Sequence, residues 1–262
     1  MLIVSSFASA SAQNNSTLSK HKLKGKVKVL LLTQYEVDDK FGKLIKGKIS
    51  YVEKYFYDNR GYKKKLTIYG KDGNPHEIVE YFYNSKDELN KFTILDAWMK
   101  KPENEIEELL FDGFYVFEDI FYKHDKKGNR IEDNLGMFYS ATNFNFAKNK
   151  YYYDNNNNYI KRELYSENPS DEINVSWEYR WDSNGNLIEL LASGNINERE
   201  VNNYNYNNDI IKTTTYYHKG KVGEETTFEY LEYDVNKNWV KRIVYKNDNP
   251  LIIEERDIKY HR

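Results

Sequence analysis

Two aromatic side chains at alternate positions, followed at once by Asp or Asn and a short polar run, recur along this chain. "YFYDNRGYKK" begins at Tyr55, "YFYNSKDELNK" at Tyr81 and "YYYDNNNNYIK" at Tyr151. "YRWDSNGNLIE" follows at Tyr179, "YNYNNDIIK" at Tyr204 and "LEYDVNKNWVK" at Leu231. Marked by Asp58, Asn84, Asp125, Asp154, Asp182, Asn207 and Asp234, the spacings are 26, 41, 29, 28, 25 and 27 residues. A fixed period of this length constrains the architecture before any single element does. Between the marks lie further turn signals: "KDGN" at Asp72, "ENPSD" around Asn168, "SGN" at Gly194, "HKGK" around Lys219 and "NDNP" around Asp248. A turn thus falls about every 12 to 15 residues, the rhythm of ten-residue strands joined by short loops.

Side-chain alternation agrees. In "VSWEYRW", Trp177, Tyr179 and Trp181 share one face while Glu178 and Arg180 take the other. Period two means strand. The expected fold is all-β: a long antiparallel up-and-down meander of tandem hairpin repeats, period about 27, with fourteen to sixteen strands in a single domain over 23–262. Sheets rarely pass about ten strands without curling or splitting, so a curled, coiled or partly closed sheet is expected. The 41-residue gap is the exception. There Pro102 suits a first helical turn and Ile106, Leu109 and Leu110 have helical spacing, which predicts a short helix over 102–111, or else one irregular extra hairpin.

Composition supports β structure with thin cores. Hydrophobic residues are 39% of the chain, but aromatics reach 16%, with 25 Tyr, and disordered chains are poor in these. A tyrosine ring packs while its hydroxyl stays hydrated, which suits a half-buried pleated surface. The formal charge of −2 gives no basic stripe, so no nucleic-acid partner is expected.

The opening "MLIVSSFASASAQNN" has an apolar start and small residues ending in "ASA". This predicts a signal-peptide remnant over 1–12, a flexible N-terminus over 13–22, and a soluble periplasmic or extracellular protein. Lys20, Lys22, Lys24, Lys26 and Lys28 alternate, as on a solvated strand edge. No transmembrane span is expected once the signal is removed. A lipid-facing barrel would need an apolar outer residue set on every strand, and stretches such as "NERE" cannot supply it.

The recurring Y-x-Y-D-x-x-G-N units, with "LKGKVKVLLLTQYEVDDKFGKLIKG" at the start and "YDVNKNWVKRIVYKNDNPLIIEERDIKYH" at the end, resemble YD-repeat (Rhs-type) proteins. They are most similar to small exported YD-repeat-like proteins of Bacteroidetes, over about residues 23–262. The resemblance implies a β-hairpin repeat architecture in the cell envelope or outside the cell. It brings no established catalytic or binding residues.

Signals for chemistry are sparse. "DSNGN" at 182–186 and "DNNNN" at 154–158 start like calcium loops but lack the twelfth-position Glu, so they read as hairpin turns. The five His show no ligand spacing, and there is neither Cys nor G-x-S-x-G, so no metal, cofactor or nucleophile is expected. Trp177, Trp181 and Trp239 could form an aromatic binding surface for sugar rings or a protein partner; core packing is the alternative. The function expected is a non-catalytic scaffold presenting an extended sheet to a protein or glycan. The alternative is a carbohydrate hydrolase with acidic residues in a groove of the coiled sheet.

Overall fold

The computed structural model describes residues 22–96, 110–111, 114–140, 143–166, 173–217 and 220–262. The first stretch holds β1 (Val27–Lys40), β2 (Lys43–Tyr57), β3 (Lys63–Tyr69), β4 (Pro75–Tyr83) and β5 (Leu89–Asp96). The middle holds β6 (Leu110–Phe111), β7 (Phe114–His124), β8 (Arg130–Ser140), β9 (Asn143–Tyr153), β10 (Tyr159–Ser166) and β11 (Ile173–Trp181). The last part holds β12 (Leu187–Gly194), β13 (Glu198–Tyr204), β14 (Ile210–Tyr217), β15 (Lys221–Tyr233), β16 (Trp239–Lys246) and β17 (Asn249–Tyr260).

Each long strand pairs antiparallel with the next, β5 pairing directly with β7 while the two-residue β6 rides on β7. The decisive pairing is the last one. β1 pairs with β2 on one side and with β17 on the other, from Val27↔Tyr260 to Glu36↔Ile252. The sixteen long strands therefore form a closed ring, a β-barrel. This corrects the expectation of a curled or coiled sheet of tandem repeats. An open sheet leaves two edges of unpaired N–H and C=O groups, and joining β1 to β17 removes both. The helix expected over 102–111 falls outside the described residues except at Leu110 and Phe111, which form β6. Residues 1–21, including the expected signal-peptide segment, also lie outside them.

The turns explain why the motif recurs. In seven hairpins along one rim, the first turn residue donates its N–H to the carbonyl four residues on, as from Asp182 to Asn186 (2.9 Å). The fourth residue closes the loop back, as Gly185 N–H does to Asp182 (3.1 Å). Asp182 Oδ1 then accepts the N–H groups of Asn184 and Asn186, both at 2.8 Å. The fourth residue sits in the left-handed region, with φ of 74° at Gly185 and 61° at Lys237. This is a three-residue hairpin loop with a bulge, and the register shifts beside it accordingly, as between Arg180 and Trp181. The sixth turn starts at Asn205, not at Asn207 as its sequence suggested, because Asn205 is the residue that bonds the N–H groups of Asn207 and Asp209.

The aromatic before four of these turns does a second job. Tyr83, Tyr153 and Tyr204 donate their hydroxyls to the carbonyls of Lys63, Arg130 and Leu187, at 2.9, 3.0 and 2.8 Å. Trp181 Nε1 does the same to Tyr159 at 2.6 Å. In each case the acceptor is the first strand residue after the preceding turn of that rim. One hairpin is thus tied to the one before it by a side chain, in addition to the backbone ladder.

A buried cluster lies where the ring closes: Leu23, Val27, Leu30, Tyr55 and Tyr57, with Leu66, Ile258 and Tyr260 packed against it. Val27 and Leu30 are 0% and 1% exposed. Lys22 and Lys24 are not a solvated strand edge, as alternation suggested. They precede β1 and lie over the rim, where Lys22 Nζ bonds Asn186 Oδ1 (2.5 Å) and the Asn208 carbonyl (2.7 Å). Burial, only partly opposed by Asp209 and Asp182, lowers the Lys22 pKa to about 8.

Candidate binding surface on the inner wall

Strand alternation divides the barrel into two walls of different chemistry. One set of positions carries cross-strand ion pairs around the ring. Lys123 meets Glu132 (2.5 Å), Lys212 meets Glu225 (2.5 Å), and Glu189 lies between Arg180 (2.6 Å) and Arg199. Glu255 is shared by Lys46 (2.9 Å) and Lys241 (3.5 Å). Burial alone would raise the Glu163 carboxyl, but Lys161 and the hydroxyls of Tyr152 and Tyr165 hold it down at about 2. These pairs include exposed members such as Arg180 and Lys123, and this is the outer, convex wall.

The alternate positions face the lumen. Their groups reach past the adjacent strand to the next: Tyr57 on β2 feels Arg256 on β17 across β1, and Tyr81 on β4 feels Tyr122 on β7 across β5. Side chains converge in this way on a concave face. Burial is the leading cause that raises the Tyr122 hydroxyl to about 12, and it raises Tyr55, Tyr81 and Tyr159 still further.

The inner wall is a mosaic of rings and cations. Arg130 lies over Tyr122 (4.6 Å) and Tyr151 (4.1 Å), and Arg162 over Trp177 (4.4 Å). Arg242 covers Phe228 (4.6 Å) and Trp239 (4.2 Å), while Arg256 stacks on Trp239 at 3.5 Å. Cation–π contacts gain strength when desolvated, which lets an arginine lie on an aromatic wall. Three inner carboxylates are saturated by neighbours. Glu53 accepts from Tyr51 (2.7 Å) and Tyr55, and Glu254 from Gln34 (2.9 Å) and Arg242 (2.5 Å). Asp133 accepts from Asn149 (2.7 Å) and from Tyr151.

The three tryptophans singled out by sequence all belong to this wall, yet they do not meet. Trp177 and Trp181 lie on β11, where Trp181 stacks with Tyr179 at 6.5 Å. Trp239 starts β16, five strands round the ring, roughly 24 Å away at ~4.8 Å per strand. It is 5% exposed, between Arg242 and Arg256. Sequence reasoning missed those arginines and Arg130 and Arg162. Their inward alternation with aromatics was the available signal.

Among the described residues no group of three or more His, Asp or Glu could hold a metal ion. The calcium-like stretches are turns, in which the side chains of Asp154 and Asp182 are occupied by their own loops. No described helix is long and apolar enough to cross a membrane.

No family model matches the sequence, and no curated protein matches it. The fold is similar to a porin-like protein from Bacteroides uniformis, with a TM-score of 0.55 and 10% identity over 90% of this chain and 99% of that one. Also similar are a porin-like protein from Bacteroides vulgatus (TM-score 0.45, 14% identity, 87% and 98% covered) and a TcdB2-TccC3-TEV structure. The latter has a TM-score of 0.31 and 12% identity, over 76% of this chain and 12% of that one. Only the first reaches the overlap from which a shared fold follows. That match and the closed ring overturn the resemblance to YD-repeat proteins and the description as a repeat protein. What recurs here is a turn and its tyrosine tie within one barrel.

Proposed function

We propose that this barrel is a non-catalytic binding protein of the exported compartment, whose inner wall receives a polar guest such as a glycan. The observation that carries this reading is the inner wall itself, where aromatic faces alternate with cations and hydrogen-bonding groups. Such a wall suits sugar rings, which offer C–H faces to aromatics and hydroxyls to polar side chains. The inner carboxylates act as acceptors for Tyr, Gln, Asn and Arg donors, which leaves the hydrolase alternative without a free acid–base pair at Glu53, Asp133 or Glu254.

The outer wall argues for an aqueous setting. A transmembrane barrel presents an apolar band to lipid, and a Lys or Arg at its midplane costs about 2–4 kcal/mol. Here Lys65, Glu80, Lys161, Glu163, Arg180, Glu189 and Lys241 lie outward on β3, β4, β10, β11, β12 and β16. Two measurements test the proposal. Detergent phase partitioning of the mature protein should leave it in the aqueous phase. A glycan array probed with the same protein should give saturable signals that fall when Trp177 is replaced by Ala. Partition into detergent, or an array indifferent to inner-wall substitutions, would refute it.

A further inference from the structure

Four buried side-chain atoms among the described residues have no hydrogen-bond partner, and two of them, Tyr57 Oη and Arg256 Nε, belong to the place where the ring closes; the others are Arg130 Nε and Ser176 Oγ. Tyr57 stands immediately before a turn, as Tyr83, Tyr153 and Tyr204 do. Those three hydroxyls bond a carbonyl of the preceding hairpin. Tyr57 has no such hairpin before it, because β1 is entered from the segment 22–26. Its hydroxyl is buried, with the residue 4% exposed, and has no hydrogen-bond partner among the described residues.

Across β1 lies Arg256, whose Nε is also buried and without a partner. Among the described residues no carboxylate forms an ion pair with it, although Glu254 acts on it electrostatically. Glu254 is held by Gln34 and Arg242, and Glu53 by Tyr51 and Tyr55. Trp239 lies against the Arg256 guanidinium, its ring centroid 3.5 Å from Cζ. An unpaired buried donor costs about 1–3 kcal/mol, more for a charged group, and two lie in one place here. Burial and the neighbouring Arg242 together lower the Arg256 pKa to about 9, only partly opposed by Glu254 and Tyr57.

We propose that Arg256 and Tyr57 form a carboxylate-binding site on the inner wall at the closure of the ring, with Trp239 as its floor. This deepens the reading of the barrel as a binding protein and rests on it: the guest would be an acidic saccharide, a uronic acid being the simplest. The planar guanidinium edge matches a planar carboxylate, and the tyrosine hydroxyl supplies one further donor. A sugar ring behind the carboxylate would extend into the lumen beside Trp239.

The test uses the mature full-length chain and sodium glucuronate, with glucose, sodium sulfate and sodium chloride at matched ionic strength as controls. Glucuronate should raise the melting temperature and change tryptophan fluorescence saturably, and glucose and chloride should do neither. Tyr57→Phe should weaken glucuronate binding by about fivefold, the loss of one hydrogen bond. Arg256→Met should abolish it and, with no ligand present, should melt at a higher temperature than wild type because an unmatched buried charge is gone. The site assignment is overturned if glucuronate behaves as chloride does, if sulfate alone gives the shift, or if the response survives in Arg256→Met. A neutral-glycan signal retained on the array by Arg256→Met, with no glucuronate response in wild type, would sink this site and leave the binding-protein reading standing.

Discussion

The regular wall of the barrel and its closure are built from the same strand type but solve different problems. Along the wall each hairpin finds its neighbour through local chemistry: a turn, a bulge beside it and an aromatic tie to the previous unit. At the closure β1 and β17 meet without a turn between them, and a buried cluster around Val27, Leu30, Tyr55 and Tyr57 takes over. The wall thus depends on many small, interchangeable contacts. The closure depends on a few large ones.

Substitutions should separate the two regions by size of effect. Leu30→Ala, at the closure, removes a side chain that is 1% exposed and should cost about 2–5 kcal/mol. Leu191→Ala, in the wall at 43% exposure, should cost less than about 0.5 kcal/mol in the same urea titration. Equal losses would erase the distinction between the two.

Alkaline titration tests whether wall and closure share one enclosed inner surface. Burial raises Tyr55 and Tyr57 at the closure, and Tyr81, Tyr122 and Tyr159 in the wall, above the value of ~10 found in unfolded chains. A raised folded-state value means that stability is fully present below about pH 10 and is lost as pH climbs through 12 and beyond. Tyrosinate absorbance should show one late class that ionises together with unfolding, drawn from both regions. Smooth early ionisation of all 25 tyrosines would show that the inner wall is open to solvent.

Smaller effects sharpen the picture of the wall. Gly185→Val places a β-branched residue at φ 74° and should cost about 1–2 kcal/mol with or without calcium, while Lys237→Gly, at φ 61°, should gain up to ~1 kcal/mol. Tyr204→Phe should lose about 1 kcal/mol through its bond to the Leu187 carbonyl, whereas Tyr57→Phe should be neutral or slightly stabilising. Glu189→Gln, on the outer wall between Arg180 and Arg199, should change stability by only about 0.2–1 kcal/mol, and less at high salt.

What could be read from sequence follows the same division. Strands and most turns were legible because their determinants lie within five residues: an Asp or Asn, a residue able to take positive φ, and an alternating aromatic pair. The slip from Asn205 to Asn207 arose where "NYNYNND" offers several equivalent turn starters. Closure was not legible. Whether a long meander curls open or joins its ends depends on β1 and β17 finding a register, and no short motif encodes that. The inner arginines were hidden for a related reason. Arg162 and Trp177 are cross-strand partners on β10 and β11, while Arg256 and Trp239 come from β17 and β16, so only pairing makes them neighbours.

The junction of Val27 with Tyr260 also sets a timetable. A chain made from its N-terminus delivers "VKVLLLTQY" early and the matching strand 233 positions later (260 − 27). Until then that apolar segment keeps a bare hydrogen-bonding edge, the kind that recruits strangers into fibrils or clumps. Refolding yield should therefore fall as protein concentration rises, because that edge stays open until β17 arrives.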